Sequence, residues 1–333
     1  MSRKKVTIRD IARESGVSVA TVSRYINKVS YTSPETEKKI QKVLDEFNYT
    51  PNAMARGLAT QKSNTIAFVT PDITNPFFPE LVKSIEYVAK ENGYSLLLIN
   101  TNEQELQTFA FWNHFQSKYI DGFILAESEL GEIAQGYLDE LNIPFVRIDR
   151  AVNPDRCNSV SVDNFEGARL AVSHLLEIGC KKIAHVSGPL NLYPAQERLN
   201  GYKRIMELNQ LIPIIAEGDF TLESGTLQTE KLLHEYPDID GVFYSNDLMA
   251  IGAIKALKAQ KKSIPEDVAI IGFDGIRLTE IVYPELSTIK QPIDKIGEIA
   301  TNNLIQAIEH PDESSNQNIL LHVELIKRES TTR

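Results

Sequence analysis

The side chains best suited to chemistry in this 333-residue chain follow short apolar runs, and their types suit holding a ligand. Asn75-Pro76-Phe77-Phe78 comes after Ile66-Ala67-Phe68-Val69. Adjacent aromatic rings can stack on the apolar C–H faces of a pyranose, whose hydroxyls need paired donors and acceptors. The competing role for one of the two rings is core. Asp149-Arg150 follows Phe145-Val146-Arg147-Ile148. A carboxylate beside a guanidinium can grip neighbouring hydroxyls through charge-assisted bonds, or can form a surface ion pair of little worth. Arg198 heads a helix in Ala195-Gln196-Glu197-Arg198, and Phe220 follows Gly218-Asp219. Asn246 follows Phe243-Tyr244-Ser245, Asp274 follows Ile271-Gly272-Phe273, and Gln291 lies in a connecting stretch. Each of these is a weak signal alone.

Enzymatic signatures are missing. The sequence contains no GxGxxG, GxSxG, HExxH or phosphate-loop lysine pattern, and its six histidines are scattered without ligand spacing. No catalytic residue, metal or cofactor is expected. His185, inside an apolar run, reads as a satisfied core residue, and Asp247 as a helix-start charge rather than a general base.

The elements that must position these groups alternate. Ile66–Val69, Leu96–Ile99, Gly122–Leu125 and Phe145–Ile148 read as short buried parallel strands separated by helical stretches. After Val162-Asp163-Asn164 the scheme repeats, with strands at Ile183–Val186, Gly241–Tyr244 and Val268–Ile271. The expected fold class is α/β: two doubly wound lobes, with ligands beyond the carboxyl ends of the strands. The run Ile319–Leu325 is strand-like, and no leucine heptads follow it, so a homodimer without a coiled-coil tetramer is expected.

A different chemistry marks the N-terminus. Residues 7–27 spell two short amphipathic helices about a tight turn. Ile8, Ile11 and Ala12 share one face, Gly16 sits where the first helix must stop, Ser18 can cap the second, and Val22 and Ile26 point inward. This is the pattern of a helix-turn-helix, whose second helix enters the DNA major groove; an ordinary helical hairpin is the competing reading. Val19 and Ala20 are small and apolar enough for thymine methyls, and Arg24 is long enough for guanine, with a phosphate contact as its competing role. Thr21, Ser23, Asn27 and Thr36 suit phosphates, with weaker contributions from Ser18, Thr7 and Tyr49. A third helix begins at Ser33-Pro34-Glu35, with Ile40, Val43, Leu44 and Phe47 as its apolar stripe. The first sixty residues carry a net charge of +5 and the remainder −15, as suits a polyanion-binding head on a body that avoids DNA.

Residues 52–60 form a marginal helix, too short and glycine-containing to be stable alone. Leu58, an apolar side chain with no obvious core to join, could wedge between base steps in the minor groove or pack against protein. Two cysteines without CxxC spacing, no leading apolar segment and no long apolar run point to a cytoplasmic protein without membrane contact.

Taken together, the chain resembles the lactose/galactose repressor family of bacterial transcription regulators along its whole length. The segments carrying the resemblance are Thr21-Val22-Ser23-Arg24, Pro51-Asn52-Ala53-Met54-Ala55-Arg56-Gly57-Leu58, Pro71–Phe78 and Ile270–Asp274. The resemblance implies a DNA-binding head at 1–50, a hinge helix at 51–62 and an effector-binding, dimerising body at 63–333. It further implies lobes of the periplasmic-binding-protein type, at 63–162 with 292–323 and at 163–291 with 324–333, joined by three crossovers. It implies Leu58 as the minor-groove wedge with Asn52, Ala55 and Arg56 beside it, on a hinge that folds when two copies meet on a near-palindromic operator. The set Asn75, Phe77, Phe78, Asp149, Arg150, Arg198, Phe220, Asn246, Asp274 and Gln291 is similar to the pentose site of periplasmic ribose-binding proteins. That favours the ribose-operon branch of the family, with a small aldose, D-ribose first, releasing the repressor from operator DNA. Tyr193-Pro194 departs from the small residues found there in the transport proteins. Sucrose, fructose or another sugar, a purine corepressor and a phosphorylated partner protein remain alternatives. A transport solute-binding protein is disfavoured by the basic head.

Overall fold

A computed structural model describes residues 6–27, 31–49, 63–101, 103–106, 108–116, 120–126, 132–148, 158–312 and 316–332. The expected hinge residues Asn52, Ala55, Arg56 and Leu58, the pair Asp149-Arg150, and Cys157 lie outside these. The chain divides into two compact units, 1–63 and 64–333.

The first unit is a three-helix head: α1 Ile8–Ser15, α2 Val19–Asn27 and α3 Pro34–Glu46. Asp10 accepts hydrogen bonds from the Thr7 amide (3.0 Å) and hydroxyl (2.7 Å) at the start of α1. Gly16 ends that helix at φ +67°, where a side chain would be strained, and lets the Val17 amide donate back to Ala12 O at 3.1 Å. Ser18 Oγ then accepts the Thr21 amide at 3.1 Å and opens α2. Ser33 does the same for α3 with Pro34 at its first position. Ile11, Ala12, Val22, Ile40 and Val43 are buried together, with Ile8, Ile26, Leu44 and Tyr49 packed around them. Phe47 does not join this core. It follows α3 and is 41% exposed, and Tyr49 covers the core instead.

The second unit holds two six-stranded sheets, ordered β11-β5-β4-β3-β1-β2 and β12-β10-β9-β8-β6-β7. The first contains β1 Thr65–Thr70, β2 Ser95–Asn100, β3 Gly122–Leu125, β4 Phe145–Ile148, β5 Asn158–Val162 and β11 Asn318–Leu321, all parallel. The second contains β6 Ile183–Ser187, β7 Ile214–Glu217, β8 Gly241–Tyr244, β9 Ala269–Asp274 and β10 Ser287–Lys290, all parallel. β12 Glu324–Ile326 completes it, antiparallel to β10. The helices are α4 Phe77–Glu91, α5 Glu103–Leu106, α6 Phe109–Gln116, α7 Glu132–Leu141, α8 Asn164–Glu177, α9 Tyr193–Leu208, α10 Leu222–Glu235, α11 Asp247–Ala259 and α12 Ile293–Glu309.

All seven strands expected from apolar runs form. The strand-like run 319–325 splits at His322-Val323, giving β11 to one sheet and β12 to the other. The chain passes between the sheets three times, after β5, after β10 and between β11 and β12, and α12 packs against α4 and β3–β5. Each sheet reverses its strand order beside its first strand, at β1/β3 and at β6/β8, which in such sheets is where ligands bind. One buried cluster runs through residues of both sheets, from Phe68 and Ile124 to Phe243 and Phe273, so the lobes share a core.

Candidate functional site

Between the carboxyl ends of the two sheets lies a cavity of about 240 Å³. Eight of the ten expected effector residues line it: Asn75, Phe77, Phe78, Arg198, Phe220, Asn246, Asp274 and Gln291.

From the first sheet, β1 leads into Pro71 and then α4. Asn75 Oδ1 accepts the Phe77 amide at 3.1 Å, so its side chain starts the helix that carries both rings. Phe77 and Phe78 meet edge to face, centroids 5.3 Å apart at 81°, an arrangement that offers an apolar wall at fixed geometry.

The second sheet supplies the charged wall. Arg198, on α9, is 5% exposed. Its Nε donates to Asn164 Oδ1 at 2.8 Å and its Nη1 donates to Ser245 O. Its guanidinium lies 3.6 Å from the Phe273 ring centroid and 3.6 Å from Asp274 Oδ1. Gln291 Nε2 donates to the same carboxylate oxygen at 2.8 Å. Asn246 caps α11 by accepting the Met249 amide at 3.0 Å, and its Nδ2 donates to Phe220 O at 2.9 Å. Phe220 itself sits at φ +69°, with its ring against Gly188, where a Cβ would lie 2.1 Å from the ring. The result is a buried ion pair, two amides and aromatic walls converging on one small space. Such a space has donors and acceptors for hydroxyls and faces for C–H groups, and it is smaller than the ~300–1,000 Å³ pockets of drug-sized ligands.

Leu192 and Pro194 join the lining and Tyr193 does not, so the apolar start of α9 narrows the site through its neighbours. Asp72, Asp219 and Thr221 also line it and were not expected. Asp72 lies two residues after β1, a signal the sequence offered; Asp219 and Thr221 follow β7, whose short Ile214-Ile215-Ala216 run just behind Pro213 does not stand out as a strand. His185 is fully buried, its Nδ1 3.0 Å from Phe243 O and its ring stacked on Phe243 at 4.7 Å. Burial pushes its pKa down to about 3, as expected of a neutral core imidazole. Among the described residues no cluster of metal-ligating side chains occurs, and no helix is long and apolar enough to cross a membrane.

In the head, the outward face of α2 presents Val19 (42% exposed), Ala20 and Arg24 to solvent. Thr21 and Ser23 are half-buried on the same helix, and Asn27 ends it. Ser18 and Thr21 bond to each other through their hydroxyls at 2.9 Å. Ser33 and Thr36 do likewise at 2.9 Å. Thr7 is exposed, and Tyr49 packs on the core of the head.

A helix-turn-helix unit followed by two sheets about a polar cavity is the plan of a DNA-binding regulator that carries a ligand cavity. Residues 7–52 match the family model of bacterial regulatory proteins of the lacI family, and residues 172–331 match the periplasmic binding protein-like domain. A ribose operon repressor from Halalkalibacterium halodurans is 43% identical over 91% of this chain and 90% of its own length. The chain belongs to the LacI family of transcriptional repressors. A lac repressor dimer bound to operator and the anti-inducer ONPF superimposes with a TM-score of 0.88 at 29% identity, covering 99% of this chain and all of that one. A LacI family regulator from Enterococcus faecium with bound ribose gives 0.73 at 31% identity, covering 80% of this chain and 98% of its own. These relatives are named as repressors or transcriptional regulators and not as enzymes.

Proposed function

We propose that this repressor is a cytoplasmic, ribose-responsive homodimer that binds a near-palindromic operator and leaves it when the sugar fills the cavity. The observation that carries this reading is the convergence of eight separately encoded residues on one monosaccharide-sized space. The ribose repressor at 43% identity and the ribose-bound neighbour support it. Arg198, Asp274, Asn246 and Gln291 would hold the hydroxyls while Phe77, Phe78 and Phe220 cover the C–H faces; Asp149 and Arg150 would complete the grip from the first lobe.

The mechanism is a population shift. Sugar bridging the two lobes favours their closed arrangement, and the closed arrangement disfavours the pairing of the two hinges, residues 51–62, on DNA. Val19, Ala20 and Arg24 would read bases. Thr7, Ser18, Thr21, Ser23, Asn27, Thr36 and Tyr49 would meet the backbone, and Asn52, Ala55, Arg56 and Leu58 the minor groove. Dimerisation through the body, residues 63–333, fits a two-fold operator.

Calorimetry of the full chain against ribose, xylose, glucose, fructose, sucrose, guanine and hypoxanthine tests the ligand. The reading expects ribose to bind at least about tenfold tighter than the hexoses and sucrose, a 1.4 kcal/mol margin. Preference for a purine or for sucrose would overturn it.

A further inference from the structure

Asp247 is fully buried, and none of the roles above uses it. It is the first residue of α11, directly after Asn246, yet its carboxylate does more than start a helix. Its Oδ2 accepts the Gly275 amide at 2.7 Å and the Ile276 amide at 2.9 Å. Thr288 Oγ1 donates to its Oδ1 at 2.6 Å. β9 runs so close that a Cβ on Gly272 would lie 2.2 Å from Oδ1. The segment Gly272-Phe273-Asp274-Gly275-Ile276 therefore folds around this one carboxylate.

Asp274, in the middle of that segment, takes φ +117°, a conformation L-residues rarely adopt, and Gly275 follows at φ +75°. Such a backbone persists only where the surroundings over-determine it. The two amides that follow Asp274 are both tied to Asp247, and the Gln291 amide holds the Asp274 carbonyl at 3.0 Å.

We propose that Asp247 is the positioning residue for the effector: by clasping the Gly275 and Ile276 amides it holds Asp274 in the unusual backbone conformation that presents its carboxylate to the sugar. Adjacent residues divide the work, Asn246 lining the cavity and Asp247 anchoring the strand end opposite it. This rests on the sugar-site reading above. Burial, with the neighbouring Asp274 carboxylate, pushes the Asp247 carboxyl well above the usual carboxylate range. An amide of the same shape keeps the oxygen that accepts from both backbone amides, and its NH2 can donate to Thr288 Oγ1, so asparagine should serve in its place.

The test uses the full chain, with ribose affinity read by calorimetry and sugar-free operator affinity by fluorescence anisotropy. Asp247→Ala leaves the buried Ile276 amide without its acceptor and the Gly275 amide with Thr288 Oγ1 alone, at 3.2 Å, and should weaken ribose by about tenfold or more. Its operator affinity should stay within about twofold of the wild type, and Asp247→Asn should restore ribose binding to within about threefold. A purely structural role predicts lowered thermal stability with ribose affinity intact. On an Asp274→Asn background the loss from Asp247→Ala should shrink below about twofold, since the two side chains act as one unit. Unchanged ribose affinity in Asp247→Ala, or full additivity with Asp274→Asn, overturns the proposal. Should Asp247→Ala fail to fold, Thr288→Val decides: it removes one bond to the carboxylate and the second acceptor of the Gly275 amide, and should weaken ribose about threefold; an unchanged affinity overturns the proposal. Wild-type protein that binds no sugar at all defeats the effector reading itself, and this role with it.

Discussion

The Arg198–Asp274 pair is the group on which most of the site's energetics turn. Both side chains are under a tenth exposed, and each is tied to further partners. A buried pair is costly to break because the survivor keeps its desolvation penalty. Arg198→Ala is therefore expected to abolish measurable ribose binding and to lower the stability of the body by about 3–5 kcal/mol, read by urea denaturation. A charge-preserving Arg198→Lys should rescue stability only in part, because an ammonium cannot serve Asn164, Ser245 and the Phe273 face together.

His185 gives a prediction in pH. Its folded pKa of about 3 lies below the ordinary value of 6.5, so the unfolded chain takes up its proton first as pH falls. Its contribution is complete above pH 6.5 and is lost progressively toward pH 3, at about 1.4 kcal/mol per pH unit. His185→Gln should lose some stability at pH 7 yet decline less between pH 6.5 and 5, by about 2 kcal/mol, in denaturation curves at the two pH values. Equal slopes would contradict the assignment of His185 as a neutral core group.

At the scale of elements, the head depends on how its short helices are capped. Eight- and nine-residue helices hold little stability of their own, so α2 relies on Ser18 and on its packed face. Ser18→Ala is expected to cost the head about 1 kcal/mol and to weaken operator binding without touching ribose affinity. Hydrogen exchange of α2 and calorimetry of the body check both halves.

The legibility of the sequence differs among elements for physical reasons. The strands buried on both faces, such as Phe68 in β1 or Phe243 in β8, announce themselves as apolar runs. β5 reads Asn158-Ser159-Val160-Ser161-Val162 and carries no apolar run, because its small polar residues are satisfied inside the sheet, Ser159 by Asn318 at 2.6 Å. β7 is a short Ile214-Ile215-Ala216-Glu217 run just behind Pro213, and β10, Ser287-Thr288-Ile289-Lys290, is mostly polar; neither stands out as a strand, which also hides Asp219 and Thr221 after β7. The run 319–325 could not reveal that a crossover cuts it in two. For the site, the residue types after strands were legible singly, but only a resemblance joined Asn75 to Gln291 across 216 positions of chain. Asp247 is legible as a helix start and not as a clasp, since two of its partners are backbone amides whose positions no side-chain pattern encodes and the third, Thr288, lies 41 residues away.

For the whole molecule, the charge division sets expectations for ionic strength. The +5 head should lose operator affinity steeply as salt rises, whereas ribose enters a cavity as a neutral molecule and should bind with little salt dependence. A log–log plot of operator affinity against salt with a slope near zero would contradict a phosphate-contacting head.

The claim on which the account turns is that sugar and DNA oppose one another through one protein. The direct measurement is operator affinity at fixed salt, with and without saturating ribose, on a duplex selected by the protein from a random pool. The account predicts that ribose weakens the operator complex about 5- to 150-fold, and that operator weakens ribose binding by the same factor. An operator affinity unmoved by ribose would contradict it, and a tightened complex would make the sugar a corepressor.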